Sequence, residues 1–358
     1  MNSPYTLTFD SSAEAGTSRL GGKCAALIVM TRAGAPVPPG FVVTMDAFEA
    51  LLDRGGLRRA VDAALAGLVA DPGAAAARGA EIRCMVIDQP VPSPVASAVT
   101  AAYEELCRAV GCPDVAVAVR SSAEVEDLPE ASCAGQHDTF LWIRGADAVL
   151  GAVRRCWASL WNDRAIIYRA ARGLPQTVLH MAVGVQQMVD ARTSGAAVTV
   201  NPADGDPSKI RVEAIWGLGQ LMVSGEVTPD AYLVDKVLLS TVRTTVSPKH
   251  QELVPAPDGH GLARRVVEEG RQQVPCLAQG EVVEIARLAK TAERQYGCPQ
   301  DIEWAVDKHP NGSTDTGAVR LLQTRPETVW SRRPRTPARA SHGAGVSSIL
   351  DTLLRPGR

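Results

Sequence analysis

Two short segments near residues 301 and 319 carry the densest candidate chemistry. In Asp301-Ile302-Glu303-Trp304-Ala305-Val306, strand alternation places Ile302, Trp304 and Val306 on one face. Asp301 and Glu303 fall on the other. In Val319-Arg320-Leu321-Leu322-Gln323-Thr324-Arg325, alternation groups Leu321, Gln323 and Arg325. If Glu303 and Gln323 share an open face, two oxygen ligands and a guanidinium converge there. Oxygen donors of this kind suit Mg²⁺, which keeps several waters and takes further oxygens from phosphates. The competing reading is a strand pair with an ordinary solvated polar face.

Cations that could meet a phosphate lie far upstream. Lys23 follows Gly21-Gly22 and opens an apolar run, Cys24-Ala-Ala-Leu-Ile-Val-Met30. Glycines allow close backbone approach, and a helix start favours anions. The GxxxxGK[ST] spacing is absent, so this is not a P-loop, and a plain surface lysine remains open. Arg120 follows the alternating Asp114-Val-Ala-Val-Ala-Val119 and reads as the close of a strand. A guanidinium there suits bidentate phosphate contact, or pairing with Glu124, Glu126 or Asp127. Ala134-Gly135-Gln136-His137-Asp138-Thr139 offers a glycine-containing loop with hydroxyl and amide donors. His137 reads as a structural hydrogen bonder. Trp216-Gly-Leu-Gly-Gln220 begins a second glycine-rich element that lacks GxGxxG spacing. No Ser/His/Asp or Cys/His arrangement stands out, and the six histidines form no cluster.

The elements that must position these residues are legible in outline. Gly21-Gly22 reads as a tight turn into a helix. Phe41-Val-Val43, after a proline run, reads as a strand. Residues 45–110 read as a helical subdomain. Ala47, Leu51, Leu57 and Val61 fall roughly on one face, as do Val95, Val99, Ala102, Leu106 and Val110. Further strands are expected at His180–Val189, Ala196–Val200 and Ile210–Ile215. A helix is expected from Glu281 to Tyr296, stopped by Gly297, with Val282, Ile285, Ala289, Ala292 and Tyr296 inward. The last strands are expected at Asp301–Val306 and Ala318–Arg325.

The chain has 358 residues, 46% hydrophobic and 21% charged, with a formal net charge of -2. This is globular composition, sized for two or three packed lobes. The charge offers no global attraction to nucleic acid or an anionic membrane. No apolar stretch approaches the ~20 residues that span a bilayer. The N-terminus lacks a basic and an apolar signal region, and the eight cysteines show no CxxC pair. Reduced thiols and a cytoplasmic location are the expectation.

The assembled strings resemble one family. They are GGKCAALIVMTRAGAPVPPGFVVT, AVRSSAEVEDLPEASCAGQHDTFL, RCWASLWNDRAIIYR, VGVQQMV, SGAAVTVNP, WGLGQLMVSGEVTPDAYLVDK, YGCPQDIEWAVD and LLQTRPET, in order over residues 20 to 328. They are similar to the N-terminal nucleotide-binding region of phosphoenolpyruvate synthase, pyruvate phosphate dikinase and rifampicin phosphotransferase. The resemblance implies an α+β, ATP-grasp fold, with two lobes of antiparallel sheet around an ATP cleft plus the helical subdomain. Residues 1–190 would form the first lobe, 191–328 the second with the metal-binding hairpin, and 329–358 a basic Pro/Arg-rich linker and tail. Lys23 and Arg120 match phosphate-contacting positions. Gly135 and Thr139 match a loop covering the nucleotide, and Gln186 an adenine-side contact. Glu303 and Gln323 match Mg²⁺-facing positions, and Arg325 a phosphate-contacting arginine. Gln220 stands where the family usually has an acidic residue.

Family members continue into a phosphohistidine domain and an acceptor-binding domain. No histidine here lies in the setting of the phosphorylated one, and the length leaves no room for those domains. The resemblance therefore implies an ATP-dependent phosphotransferase subunit. It would use Mg²⁺ and ATP and pass a phosphoryl or pyrophosphoryl group to a histidine on a separate phosphohistidine-domain protein. A small-molecule acceptor follows, with AMP and phosphate as by-products. Split-subunit phenylphosphate synthase is a family precedent. A self-sufficient kinase or ligase, and a non-catalytic ATP-binding regulatory subunit, stay open. Ile349, Leu350, Leu353 and Leu354 form a short apolar face in the tail that could dock in a partner's groove, or fray.

Overall fold

Alternating valines and a run of turn residues organise the first sheet of the computed structural model, which describes residues 3–12, 17–66, 72–123, 138–174, 176, 179–308 and 317–331. Its strands are β1 (Thr6–Thr8), β2 (Gly40–Val43), β3 (Val117–Ala123), β4 (Thr139–Ile143) and β5 (Met181–Gln187). The spatial order is β1-β2-β5-β3-β4, antiparallel throughout. The central strands β3 and β5 are buried along nearly their whole length. Val117, Val119, Val183 and Val185 are fully buried there.

The second sheet contains β6 (Ala191–Val198), β7 (Lys209–Trp216), β8 (Asp230–Asp235) and β9 (Thr241–Thr245). A separate two-stranded ribbon follows, β10 (Gln251–Pro255) with β11 (Leu262–Val266). The strands β12 (Gln300–Asp307) and β13 (Val319–Pro326) complete the second sheet, in the order β13-β12-β6-β7-β8-β9. Strands β1, β4 and β8 to β11 are additions to the sequence expectation. β1 has only three residues, and β9 and β11 are largely exposed.

The 45–110 region is mostly helical among its described residues. It comprises α2 (Met45–Leu52), α3 (Leu57–Leu65), α4 (Pro72–Asp88) and α5 (Ser93–Val110), preceded in the chain by α1 (Thr17–Arg32). Ala47, Leu51, Leu57 and Val61 are all buried, but they belong to two helices rather than one face. Helix α5 stops at Gly111, whose φ of 73° only glycine adopts readily. Helices α6 (Ala146–Ala158) and α7 (Asp163–Ala171) pack beside them. The core here centres on Phe48 and Trp157, with ring centroids 5.6 Å apart.

Short helices α8 (Gln220–Val223) and α9 (Glu269–Gln272) precede α10 (Gln279–Tyr296). The Glu281 carboxylate accepts the Ala278 N–H at 2.9 Å and fixes the start of α10. Gly297, at φ 68°, ends it. Val282, Ile285, Ala289 and Ala292 bury against Ile302, Trp304 and Val306, the expected apolar face of β12. Burying the valine and isoleucine side chains stabilises the fold by about 1.5–3 kcal/mol each. Helix α1 joins the two halves. Its Ile28 packs with the first sheet and its Met30 with the core under α10.

Three expectations are corrected or fall elsewhere. Arg120 does not close its strand. It sits mid-strand, because Ser121, Ser122 and Ala123 continue pairing with β5. Leu321 does not share a face with Gln323. Glu303 opposes Gln323 but Trp304 opposes Leu321, so Leu322 is an extra residue that reverses the alternation. Leu321 is consequently buried beside Trp304. Gly135, His137 and the tail from 332 lie outside the described residues.

Candidate functional site

The GGK turn is built by sterics. Gly21 adopts φ 64° and ψ 160°, a kink inside α1. A β-carbon there would lie 2.3 Å from the Ser122 carbonyl oxygen, so only glycine lets this turn press on β3. The Cys24 N–H then donates to Ser122 Oγ at 3.2 Å. This docks the restarted helix on β3 and points Lys23 along it. Lys23 Nζ lies 3.5 Å from the Ser121 carbonyl.

Arg120 comes from the neighbouring position of β3. Its guanidinium crosses to the second sheet and meets three oxygens of β12 and β13. Nη1 donates to the Leu322 carbonyl at 3.0 Å, and Nη2 to Glu303 Oε2 at 2.5 Å and Gln323 Oε1 at 2.6 Å. The bulge at Leu322 aims that carbonyl out of the ladder toward Arg120. Thr139 opposes Arg120 directly across β3 and β4. Arg325 opposes Asp301 and donates to its Oδ2 through Nε at 2.9 Å and Nη2 at 2.7 Å.

These residues line one cleft of ≈ 1940 Å³ between the two sheets. Lys23, Arg120, Thr139, Gln186, Glu303, Gln323 and Arg325 all border it. The convergence expected of Glu303, Gln323 and a guanidinium is present, but the guanidinium bonded to both is that of Arg120. Gln220, the first residue of α8, is on the rim.

Burial opposes charge on Glu303, but Arg120 outweighs it, aided by Arg325 and Lys23, and holds the carboxyl below its ordinary range. Asp301 goes the other way. Burial pushes it up, against the pull of Arg325, with Glu303 and Glu327 adding to the rise.

Gln186 behaves differently. It is 2% exposed, and its Nε2 has no hydrogen-bond partner among the described residues. A buried amide donor without a partner costs about 1–3 kcal/mol, so a polar ligand atom in the cleft would satisfy it.

Sequence reasoning gave no role to three neighbours. Asp301 was on the correct face, and its alternation with Glu303 was a usable signal. Asp138 borders the cleft and accepts from Asn162 Nδ2 at 3.0 Å and Arg164 Nη2 at 2.8 Å. The Leu322 carbonyl depends on a bulge that no side-chain pattern announces.

Residues 17–343 match the family described as pyruvate phosphate dikinase, AMP/ATP-binding domain. A probable phosphoenolpyruvate synthase from Methanothermobacter thermautotrophicus is 41% identical over 326 residues, covering 91% of this chain and 46% of that protein. The phosphoenolpyruvate synthase of Aeropyrum pernix is 39% identical, over 88% of this chain and 41% of its own. That of Neisseria meningitidis is 38% identical, over 92% and 42%. The chain thus spans less than half the length of these relatives. A solved structure from Pyrococcus horikoshii covers 87% of this chain and 93% of its own, at a TM-score of 0.35 and 10% identity, and supports no fold assignment. With a family model spanning nearly the whole chain and relatives near 40% identity agreeing with it, the chain belongs to the pyruvate phosphate dikinase AMP/ATP-binding domain family.

Proposed function

We propose that the cleft is an ATP-grasp site that binds ATP with Mg²⁺ and starts phosphoryl or pyrophosphoryl transfer. The carrying observation is the meeting of Arg120 with Glu303 and Gln323 across the two sheets. Residues 1–190 and 191–328 act as the two lobes. Lys23, Arg120 and Arg325 neutralise phosphate oxygens. Thr139, with Gly135 four residues before it in sequence, contributes to the loop over the nucleotide, and Gln186 reads the adenine edge.

The donor set fits the metal. A carboxylate held ionised and a neutral amide oxygen are hard ligands of the kind Mg²⁺ takes alongside phosphate. When bound, the ion supplies charge neutralisation at the phosphates. The chain's own residues position the phosphates and exclude water by lobe contact.

The phosphate is received by a histidine nitrogen on a phosphohistidine-domain protein, which then serves a small-molecule acceptor. Attack at the β-phosphorus breaks the α–β bridge, whose electrons leave on AMP. Attack at the γ-phosphorus releases ADP instead. The reading is supported by the family and by relatives called phosphoenolpyruvate synthases. The test is incubation with labelled ATP, alone and with candidate histidine-domain proteins. Label on a partner histidine with AMP release is expected. No AMP or ADP under any pairing would contradict the catalytic reading.

A further inference from the structure

We infer that Arg120 and a divalent cation compete for the same two oxygens, so that the cation enters only with a polyphosphate that draws Arg120 away. The inference rests on the nucleotide reading of the cleft and adds an order of loading to it.

Both proposed metal ligands are already engaged. Arg120 Nη2 bonds Glu303 Oε2 and Gln323 Oε1 at once, while Nη1 is held by the Leu322 carbonyl. The guanidinium is therefore pinned at three points on β12 and β13. Its side chain is 19% exposed, so water screens it poorly. A cation reaching the same oxygens would sit within a few Å of a fixed positive charge, where repulsion is strong. It would also strip Arg120 of two acceptors and leave a partly buried guanidinium short of partners.

A polyphosphate changes that balance. It offers Arg120 pairs of anionic oxygens in the bidentate geometry a guanidinium prefers. Lys23, reaching the same stretch of β3, adds a second cation for the same anion. Once Arg120 turns to phosphate, Glu303 Oε2 and Gln323 Oε1 are released together. Phosphate oxygens then complete the metal's shell. The device makes the site respond to the metal–nucleotide complex and ignore free metal. It also links lobe contact to loading, because the Arg120 bridge is a bond between the sheets.

The test is Mn²⁺ titration of the full chain by electron paramagnetic resonance, with and without a non-hydrolysable ATP analogue. Removing the competing charge in Arg120→Gln is expected to tighten binding of Mn²⁺ alone by about tenfold or more. Adding Glu303→Gln to that variant is expected to abolish the gain. Arg120→Lys, which keeps the charge, is expected to bind free Mn²⁺ as weakly as the wild type. Equal free-metal affinity in wild type and Arg120→Gln would overturn the inference, as would a gain that survives Glu303→Gln. If Arg120→Gln does not fold, the wild type still decides. Mn²⁺ alone binding as tightly as Mn²⁺ with the analogue, and lost in Glu303→Gln, overturns it. Failure of the analogue to bind at all contradicts the nucleotide reading, while the free-metal comparison still decides whether Arg120 and the cation compete.

Discussion

Glu303 and Gln323 oppose one another directly across β12 and β13, and one nitrogen of Arg120 bonds both. The pair belongs to the second sheet and the arginine to the first. The proposed metal ligands and the cation proposed to bind phosphate thus form one unit across the cleft.

Glu303→Gln should separate metal from nucleotide. The shape of the side chain is kept and the charge lost. Phosphotransfer is expected to fall about 100-fold or more, in line with loss of an electrostatic stabiliser. Binding of metal-free ATP should be little changed. Steady-state rates and calorimetric titration of ATP with a chelator check the two halves.

Glu303 also predicts a pH dependence. Its folded pKa lies below the ordinary 4.5 because Arg120 overcomes burial. Its contribution to stability is therefore fully present above 4.5 and is lost as pH falls through the lower folded value. Urea unfolding from pH 7 to 3 should show wild type losing stability relative to Glu303→Gln only below about 4.5.

Gln186→Leu should weaken nucleotide binding without harming the free protein. The Nε2 atom is buried and has no partner among the described residues, so removing it relieves a desolvation cost. Thermal unfolding is expected to stay level or rise, while ATP affinity drops about tenfold, the worth of one good hydrogen bond. Discrimination between ATP and GTP should narrow in the same titrations.

Gly21→Ala should damage both the fold and the site. The added carbon meets the Ser122 carbonyl at 2.3 Å, at a φ that L residues avoid. About 1–3 kcal/mol of strain is expected, with a parallel loss of ATP affinity as Lys23 shifts. Denaturant midpoints and nucleotide titration measure each.

Lys249→Met tests a purely structural ion pair. Lys249 Nζ lies 2.6 Å from Asp230 Oδ1, with both side chains fully buried. Breaking one side of such a pair costs about 3–5 kcal/mol. The Asp230 carboxylate would retain the Ser247 and Cys276 N–H donors but lose its counter-charge. Chemical denaturation is the check.

The fold was most legible where side-chain period and burial agree. Ile302, Trp304 and Val306 pack under α10 as alternation predicts, and Gly297 stops that helix. It was least legible where backbone geometry decides. The bulge at Leu322 moves Leu321 to the core and turns a carbonyl toward Arg120, and no residue type encodes it. The Arg120 position misled for a related reason. Polar Ser121 and Ser122 look like a strand end, but they are buried and paired with Val183 and Ala182 of β5. Edge strands such as β9, exposed along most of their length, carry little hydrophobic signal.

The central claim is that Arg120 and Glu303 form a single Mg²⁺–nucleotide site. Calorimetric titration of the wild type with Mg²⁺ and a non-hydrolysable ATP analogue, repeated on Arg120→Gln and Glu303→Gln, tests it most directly. One site per chain is predicted, weakened at least about tenfold in each variant, as expected for loss of a charge-assisted contact. Equal affinity in all three proteins would contradict it.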